Sequence, residues 1–203
     1  MSSTLSRTLG YRHVDTGAMY RAVGWKAVHD GLALDDEDAL ASLAERATLV
    51  VEGGVVSIDG HDVTRAIRTP EMDKTAASVA RLPRVRGVLV ARQRAIGAEG
   101  GVVMEGRDIG TVVFPQADLK VYLDASAEER ARRRAHDTAH SGSQAGQAAV
   151  AAAIDARDKS DTTRAVSPLT LAADAVLIDT TNVPVDAVVA RVLALVNQRR
   201  TQV

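Results

Sequence analysis

Gly101-Val102-Val103-Met104-Glu105-Gly106-Arg107-Asp108-Ile109-Gly110-Thr111 decides the fold. Its first half is a short apolar run without alternation, the pattern of a buried strand in a parallel sheet. The run ends on a carboxylate, and Gly106 and Gly110 bracket an Arg107-Asp108 pair. Glycines let a backbone approach a ligand closely, and in open α/β sheets ligands sit at the carboxyl ends of strands. Glu105 stands at a strand end, where phosphoryl-transfer enzymes keep a carboxylate near magnesium. Arg107 and Asp108 can divide the work of gripping a phosphate and reading a base, since a carboxylate accepts from an exocyclic amine such as that of cytosine. The plainer reading is a turn closed by an internal Arg107–Asp108 ion pair.

Outward from this stretch the chain alternates strands and helices. Residues 11–14, 119–124 and 175–179 read as further strands. Helices are expected at 18–29, from Asp35 or Asp36 to 46, at 70–81, 83–99 and 148–160, and from Pro184 to the end, with a short one over 2–9 ended by Gly10. Pro70 and Pro83 sit where a first helical turn tolerates proline. Ser126 with Glu129 forms a capping-box signature. Strands separated by helices predict an α/β fold with a parallel core sheet flanked by helices. Residues 49–58 interrupt that rhythm as an antiparallel hairpin turning on Gly53-Gly54. The stretch 140–146 is polar and glycine-containing, suited to a hinge.

Three other clusters carry charge toward the same rim. Asp15-Thr16-Gly17 followed by Arg21 offers backbone N–H groups, a hydroxyl and a guanidinium to an anion. The simpler alternative is a Thr16 N-cap with Arg21 in solvent. Arg130, Arg133 and Arg134 fall at i, i+3 and i+4 on one helix face and could stabilise a moving phosphoryl group, unless Glu128 and Glu129 make that face merely solvated. Arg157, Asp161 and Arg164 share a face over two turns, or form an ion-paired helix end. Arg84 and Arg86 lie near a helix N-terminus, against the dipole.

The bulk numbers fit this picture. The 203 residues suffice for one α/β domain, and the net charge of −1 argues against a nucleic-acid or membrane-surface binder. Twenty-one arginines stand against four lysines, which suits phosphate recognition. Without cysteine there is no disulfide and no thiolate chemistry. No signal-like or membrane-length apolar run is present, so a cytoplasmic monomer is expected.

Taken together, residues 15–21, Ile67-Arg68-Thr69-Pro70-Glu71, Pro83-Arg84-Val85-Arg86, residues 105–115, residues 124–130 and Arg164-Ala165-Val166-Ser167-Pro168-Leu169 resemble the cytidylate kinase family in order and spacing. The resemblance implies a P-loop nucleoside monophosphate kinase fold over 1–203 as one domain. Residues 49–66 would be its monophosphate-binding insertion and 130–157 its arginine-rich lid. It implies phosphoryl transfer from ATP, with Mg2+, to CMP or dCMP. Thr16, Arg21, Arg86 and Arg107 would hold the CMP, Asp108 would select cytosine, and Arg157, Asp161 and Arg164 would serve phosphate and ribose. Arg130, Arg133 and Arg134 would act on the transferring group, and Glu105 would sit near the metal through water.

One departure stands out. The family's G-x-x-x-x-G-K-[ST] phosphate loop occurs nowhere in the 203 residues, because no lysine follows a glycine. Ser2-Ser3 resemble the residues just after that lysine. The expectation is therefore an N-terminally truncated chain that lacks its first core strand and phosphate loop, poorly stable and weakly active or inactive. The alternative is a non-catalytic CMP-binding protein.

Overall fold

The computed structural model describes residues 1–137 and 147–201, with the side chains of 147–149 excepted. The expected hinge at 140–146 lies outside the described residues. Four parallel strands form two pairs. β1 (Arg12–Asp15) pairs with β5 (Val102–Glu105) in a register that sets Asp15 beside Glu105. β6 (Val121–Asp124) pairs with β7 (Val176–Asp179), setting Asp124 beside Asp179. Among the described residues no strand hydrogen bonds join the two pairs, so the expected core sheet is realised as two ribbons. This alters the burial read from the sequence. Val102, Val103 and Met104, expected to be deeply buried, are half-buried, because β5 has one strand neighbour instead of two.

The helices follow the local chemistry. α1 (Ser2–Leu9) ends where Gly10 takes a left-handed φ of 67° and its N–H reaches back to the carbonyls of the last turn. It packs against β1 and β5. α2 (Thr16–His29) begins at β1's end, and α3 (Glu37–Arg46) is capped by Asp36, whose side chain accepts from Ala39 N. The hairpin is built from β2 (Leu49–Glu52) and β3 (Val55–Ile58), with β4 (His61–Asp62) added beyond them. Gly53 and Gly54, at φ 58° and 86°, make the turn that two positive φ values require. Trp25 of α2 stacks on His29 at 4.8 Å between ring centroids, and His61 of β4 tilts against both.

α4 (Pro70–Val79) is capped by the Thr69 hydroxyl, and α5 (Pro83–Gly97) starts on its proline. After β5 comes a π-helical turn, Ile109–Val113. Such turns are frequent at functional sites. Arg94 of α5 steadies this one by donating to the carbonyls of Val112 and Val113 at 2.6 and 3.1 Å. α6 (Ala127–Ala135) shows half of the expected capping box. Ser126 Oγ accepts from Glu129 N at 3.2 Å, but Ser126 N donates to Thr181 and the Glu129 carboxylate turns to Arg132 and Arg133. The charge-assisted bonds are the stronger ones. α7 (Gln147–Thr163) and α8 (Val185–Arg200) complete the chain. On α8, Val188, Val189 and Val192 are buried while Val185, in the first turn, is exposed.

The main core gathers β1, α2, α3, the hairpin, α4 and α5. A smaller cluster joins Leu5 of α1, Ile178 of β7 and Val189 and Val192 of α8. Among the described residues no helix is long and apolar enough to cross a membrane.

Candidate active site

The ends of β1 and β5 are stitched together by the first residues that leave them. Thr16, one candidate cap of α2, does not cap it. Asp15 does, accepting from Ala18 N at 2.9 Å. The buried Thr16 hydroxyl instead donates to the Glu105 carbonyl at 2.8 Å. A Cβ on Gly106 would lie 2.3 Å from that hydroxyl, so the turn needs glycine there. Arg21 is buried rather than solvated. It donates to Asp15 Oδ2 at 3.0 Å, because a guanidinium leaving water needs a carboxylate at hand.

Arg107 and Asp108 do not pair with each other, which removes the plainer reading of that turn. Asp108, 7% exposed, accepts from Arg86 of α5 through Oδ2, while its Oδ1 lies 3.8 Å from Arg164 Nη2. Arg107 leaves in another direction, to Asp158 Oδ1 at 3.1 Å and Asp161 Oδ2 at 3.3 Å on α7. Each finds its counter-charge on a separate element. Arg157, Asp161 and Arg164 do meet, at the Asp161 carboxylate, with Arg157 Nε at 3.9 Å and Arg164 Nη1 at 3.4 Å.

The arginines of α6 share a face but separate at their tips. Arg130 reaches Asp158 and Arg134 reaches Asp73 of α4. Arg133 donates to Glu129 Oε1 at 2.8 Å and to Thr180 beyond β7, away from the aspartates of α4 and α7. The solvated-face reading fails for Glu129, which is buried between Arg132 and Arg133.

Electrostatics follow from this crowding. Burial lowers Arg157 from its ordinary range, and Arg107 nearby adds to the effect. Burial and then Arg86 do the same to Arg164. Burial pushes the Tyr20 phenol up, against the pull of Arg86, which lies 5.5 Å over its ring. Among the described residues four buried donors, Arg21 Nε, Arg86 Nε, Gln93 Nε2 and Arg164 Nη2, have no hydrogen-bond partner. Such groups call for a ligand or ordered water.

Glu105 ends β5 with Oε2 accepting from Ser2 Oγ at 2.9 Å and Oε1 at 2.7 Å from His13 Nε2. Magnesium keeps several waters and asks for one or two carboxylates plus phosphate oxygens. The Glu105 carboxylate beside the Ser2 hydroxyl fits that demand through water, while the Asp15 carboxylate on the neighbouring strand end is committed to Ala18 N and Arg21. Among the described residues no group of three or more histidines and carboxylates forms a preformed metal cage.

Three participants were missed from the sequence. Asp73 lies in a first helical turn, where the dipole favours any acid, so its position alone carries no signal. Asp158 sits between Arg157 and Lys159, in the stretch whose plainer reading is an ion-paired helix end. Ser2 carried only its likeness to the residues after the phosphate-loop lysine; its hydrogen bond to Glu105 spans 103 residues of sequence and leaves no local signal.

Comparison with known proteins gives the family. Residues 1–198 match the cytidylate kinase family profile. The cytidylate kinase of Desulfitobacterium hafniense (strain Y51) is 46% identical over 202 residues, covering 98% of this chain and 87% of that protein. That of Pelotomaculum thermopropionicum is 48% identical over 203 residues, covering 98% and 90%. A bifunctional pantoate ligase/cytidylate kinase of a Synechococcus species is 43% identical over 97% of this chain, which spans 38% of that longer protein. Matches of this length and identity, on a chain whose strand ends carry the residues described above, make it a member of the cytidylate kinase family.

Proposed function

We propose that Asp108 reads cytosine and that the neighbouring arginines hold the phosphate and ribose of CMP or dCMP for in-line phosphoryl transfer from ATP. The observation that carries this reading is the pairing of an acceptor with a donor. Asp108 Oδ1 lies 3.8 Å from Arg164 Nη2, a buried donor without a hydrogen-bond partner. Cytosine offers its exocyclic amine beside the N3 acceptor, the complement of that pair, whereas uracil presents an acceptor beside a donor. Arg86 fixes the Asp108 carboxylate from the other side.

Thr16, Arg21, Arg107, Arg157 and Asp161 are assigned to the phosphate and ribose. Arg130 and Arg134 are placed to meet charge on the transferring group. Arg133 is assigned a supporting role, holding α6 to the end of β7. Glu105 with Ser2 would hold Mg2+ through water; bound there, the ion would neutralise developing phosphate charge. The chain's own part is positioning and charge stabilisation, with no covalent intermediate. Because the G-x-x-x-x-G-K-[ST] pattern is not among the 203 residues, turnover by these residues alone is expected to be slow while CMP still binds.

Calorimetry with CMP and UMP on the 203-residue chain tests the assignment. CMP is expected to bind about tenfold or more tighter than UMP, in line with one good bidentate base contact. Asp108→Asn should bring the two within a few-fold. Equal affinities in the unmodified chain would remove the cytosine reading.

A further inference from the structure

Asp73 is the one carboxylate among the described residues that gathers arginines from α2, α6 and α7 at once. Its Oδ2 accepts from Arg134 of α6, and its Oδ1 lies 3.8 Å from Arg21 Nη1 and 3.5 Å from Arg157 Nη1. Arg21 and Arg157 are two of the residues assigned above to the phosphate. Those two distances are long for charge-assisted hydrogen bonds, which run at about 2.7–2.9 Å. The guanidiniums are thus attracted to Asp73 without being locked on it, and Arg21 keeps its buried Nε unpartnered.

The wider ion-pair network shows why an anion belongs there. Arg21, Arg68, Arg86, Arg107, Arg130, Arg134, Arg157 and Arg164 are linked to Asp15, Asp73, Asp108, Asp137, Asp158 and Asp161. Among the described residues, eight cations stand against six anions, a surplus of two positive charges. A phosphate monoester carries about −1.5 to −2 at neutral pH. Within the described residues, the surplus matches the charge of one substrate phosphate.

We propose that Asp73 is an internal competitor for the substrate's phosphate. Its carboxylate occupies the anion position among Arg21, Arg134 and Arg157, the entering phosphate displaces it from Arg21 and Arg157, and Asp73 thereby sets the affinity of the monophosphate subsite. The proposal rests on the CMP reading of the site and adds a residue that weakens binding rather than supporting it. In the empty chain Asp73 keeps three mutually repelling guanidiniums in place. In the occupied site its charge opposes the phosphate. Removing the charge while keeping the shape therefore strengthens binding of anything that carries the phosphate and leaves the base alone.

The test titrates CMP, cytidine and inorganic phosphate against the unmodified chain, Asp73→Asn and Asp73→Glu by calorimetry at low and at physiological salt. Asp73→Asn is expected to lower the Kd for CMP and for inorganic phosphate about tenfold, in keeping with the cost of a like-charge juxtaposition. The gain should shrink as salt rises. Cytidine, which lacks the phosphate, should bind both chains equally, an outcome that a merely structural change would not give. Asp73→Glu should return the CMP Kd to near its original value.

Asp73→Ser keeps a polar side chain in the first turn of α4 and is expected to show the same tightening if the amide variant does not fold. An unchanged or weaker CMP affinity in folded Asp73→Asn or Asp73→Ser, with CMP binding intact in the unmodified chain, overturns the role of Asp73 and leaves the CMP assignment standing. Tightened phosphate binding with no advantage of CMP over phosphate would do the reverse: Asp73 stands and the cytosine reading falls.

Discussion

Asp108 shows how much one buried carboxylate can decide. It faces Arg86 and Arg164, both almost wholly enclosed, and among the described residues it is the one carboxylate that ion-pairs with Arg86. Asp108→Ala leaves two buried guanidiniums confronting each other. Breaking a buried pair from one side costs about 3–5 kcal/mol. The variant is expected to lose stability of that order in urea melts, besides its effect on base selection. A loss below about 1 kcal/mol would mean that water reaches the arginines. The candidate role of Asp108 was legible from its place after an apolar strand end, but its partners were not. The sequence puts Arg107 next to it, and adjacency suggested a pair. Only the π-helical turn, which sends the two side chains to different elements, decides against it.

Among the elements, α6 illustrates the limit of helical spacing. Arg130, Arg133 and Arg134 were readable as one face, and the helix exists where the Ser126 cap placed it. Their separation depends on Glu129, which draws Arg132 and Arg133, and on Asp73, which sits 61 residues away from Arg134. The Glu129 carboxyl is held below the usual carboxylate range, first by Arg132 and then by Arg133. Its folded pKa is therefore the lower one. The stabilisation is fully present above the unfolded-chain value of about 4.3 and is lost as pH falls through the folded value. Glu129→Gln should accordingly be less stable than the unmodified chain at pH 7, with the gap closing in acid. Urea melts at neutral pH and near pH 3 check this; a gap that stays constant would show that the ion pairs contribute nothing. The hairpin, by contrast, was readable in full, since two glycines with positive φ between valine-rich runs leave no other local solution.

For the whole molecule, the parallel α/β class followed from strands alternating with helices, while the division of the strands into two ribbons did not. Pairing across ribbons depends on what lies between them, and apolar runs alone do not say which strands meet. The division has a thermodynamic side. The main core holds twenty buried apolar residues and the smaller cluster four, among the described residues. Burial stabilises roughly in proportion to area, so β6, β7 and α8 are expected to open before β1, α2 and α5. Hydrogen exchange followed by mass spectrometry should show amides of β6, β7 and α8 exchanging markedly faster than those of α2 and β1. Uniform protection would show that the two clusters behave as one cooperative unit.

The stack of Trp25 on His29 bears on how such opening is observed. Trp25 is the only tryptophan in the chain, and it packs against the main core. Its emission therefore reports from one side of the molecule. Loss of α8, sixteen helical residues, would dim the far-ultraviolet dichroism and leave the indole's surroundings unchanged. A thermal scan read by fluorescence should give a higher midpoint than the same scan read by dichroism, and an apparently simple optical melt of this chain describes only the half that its one indole can see.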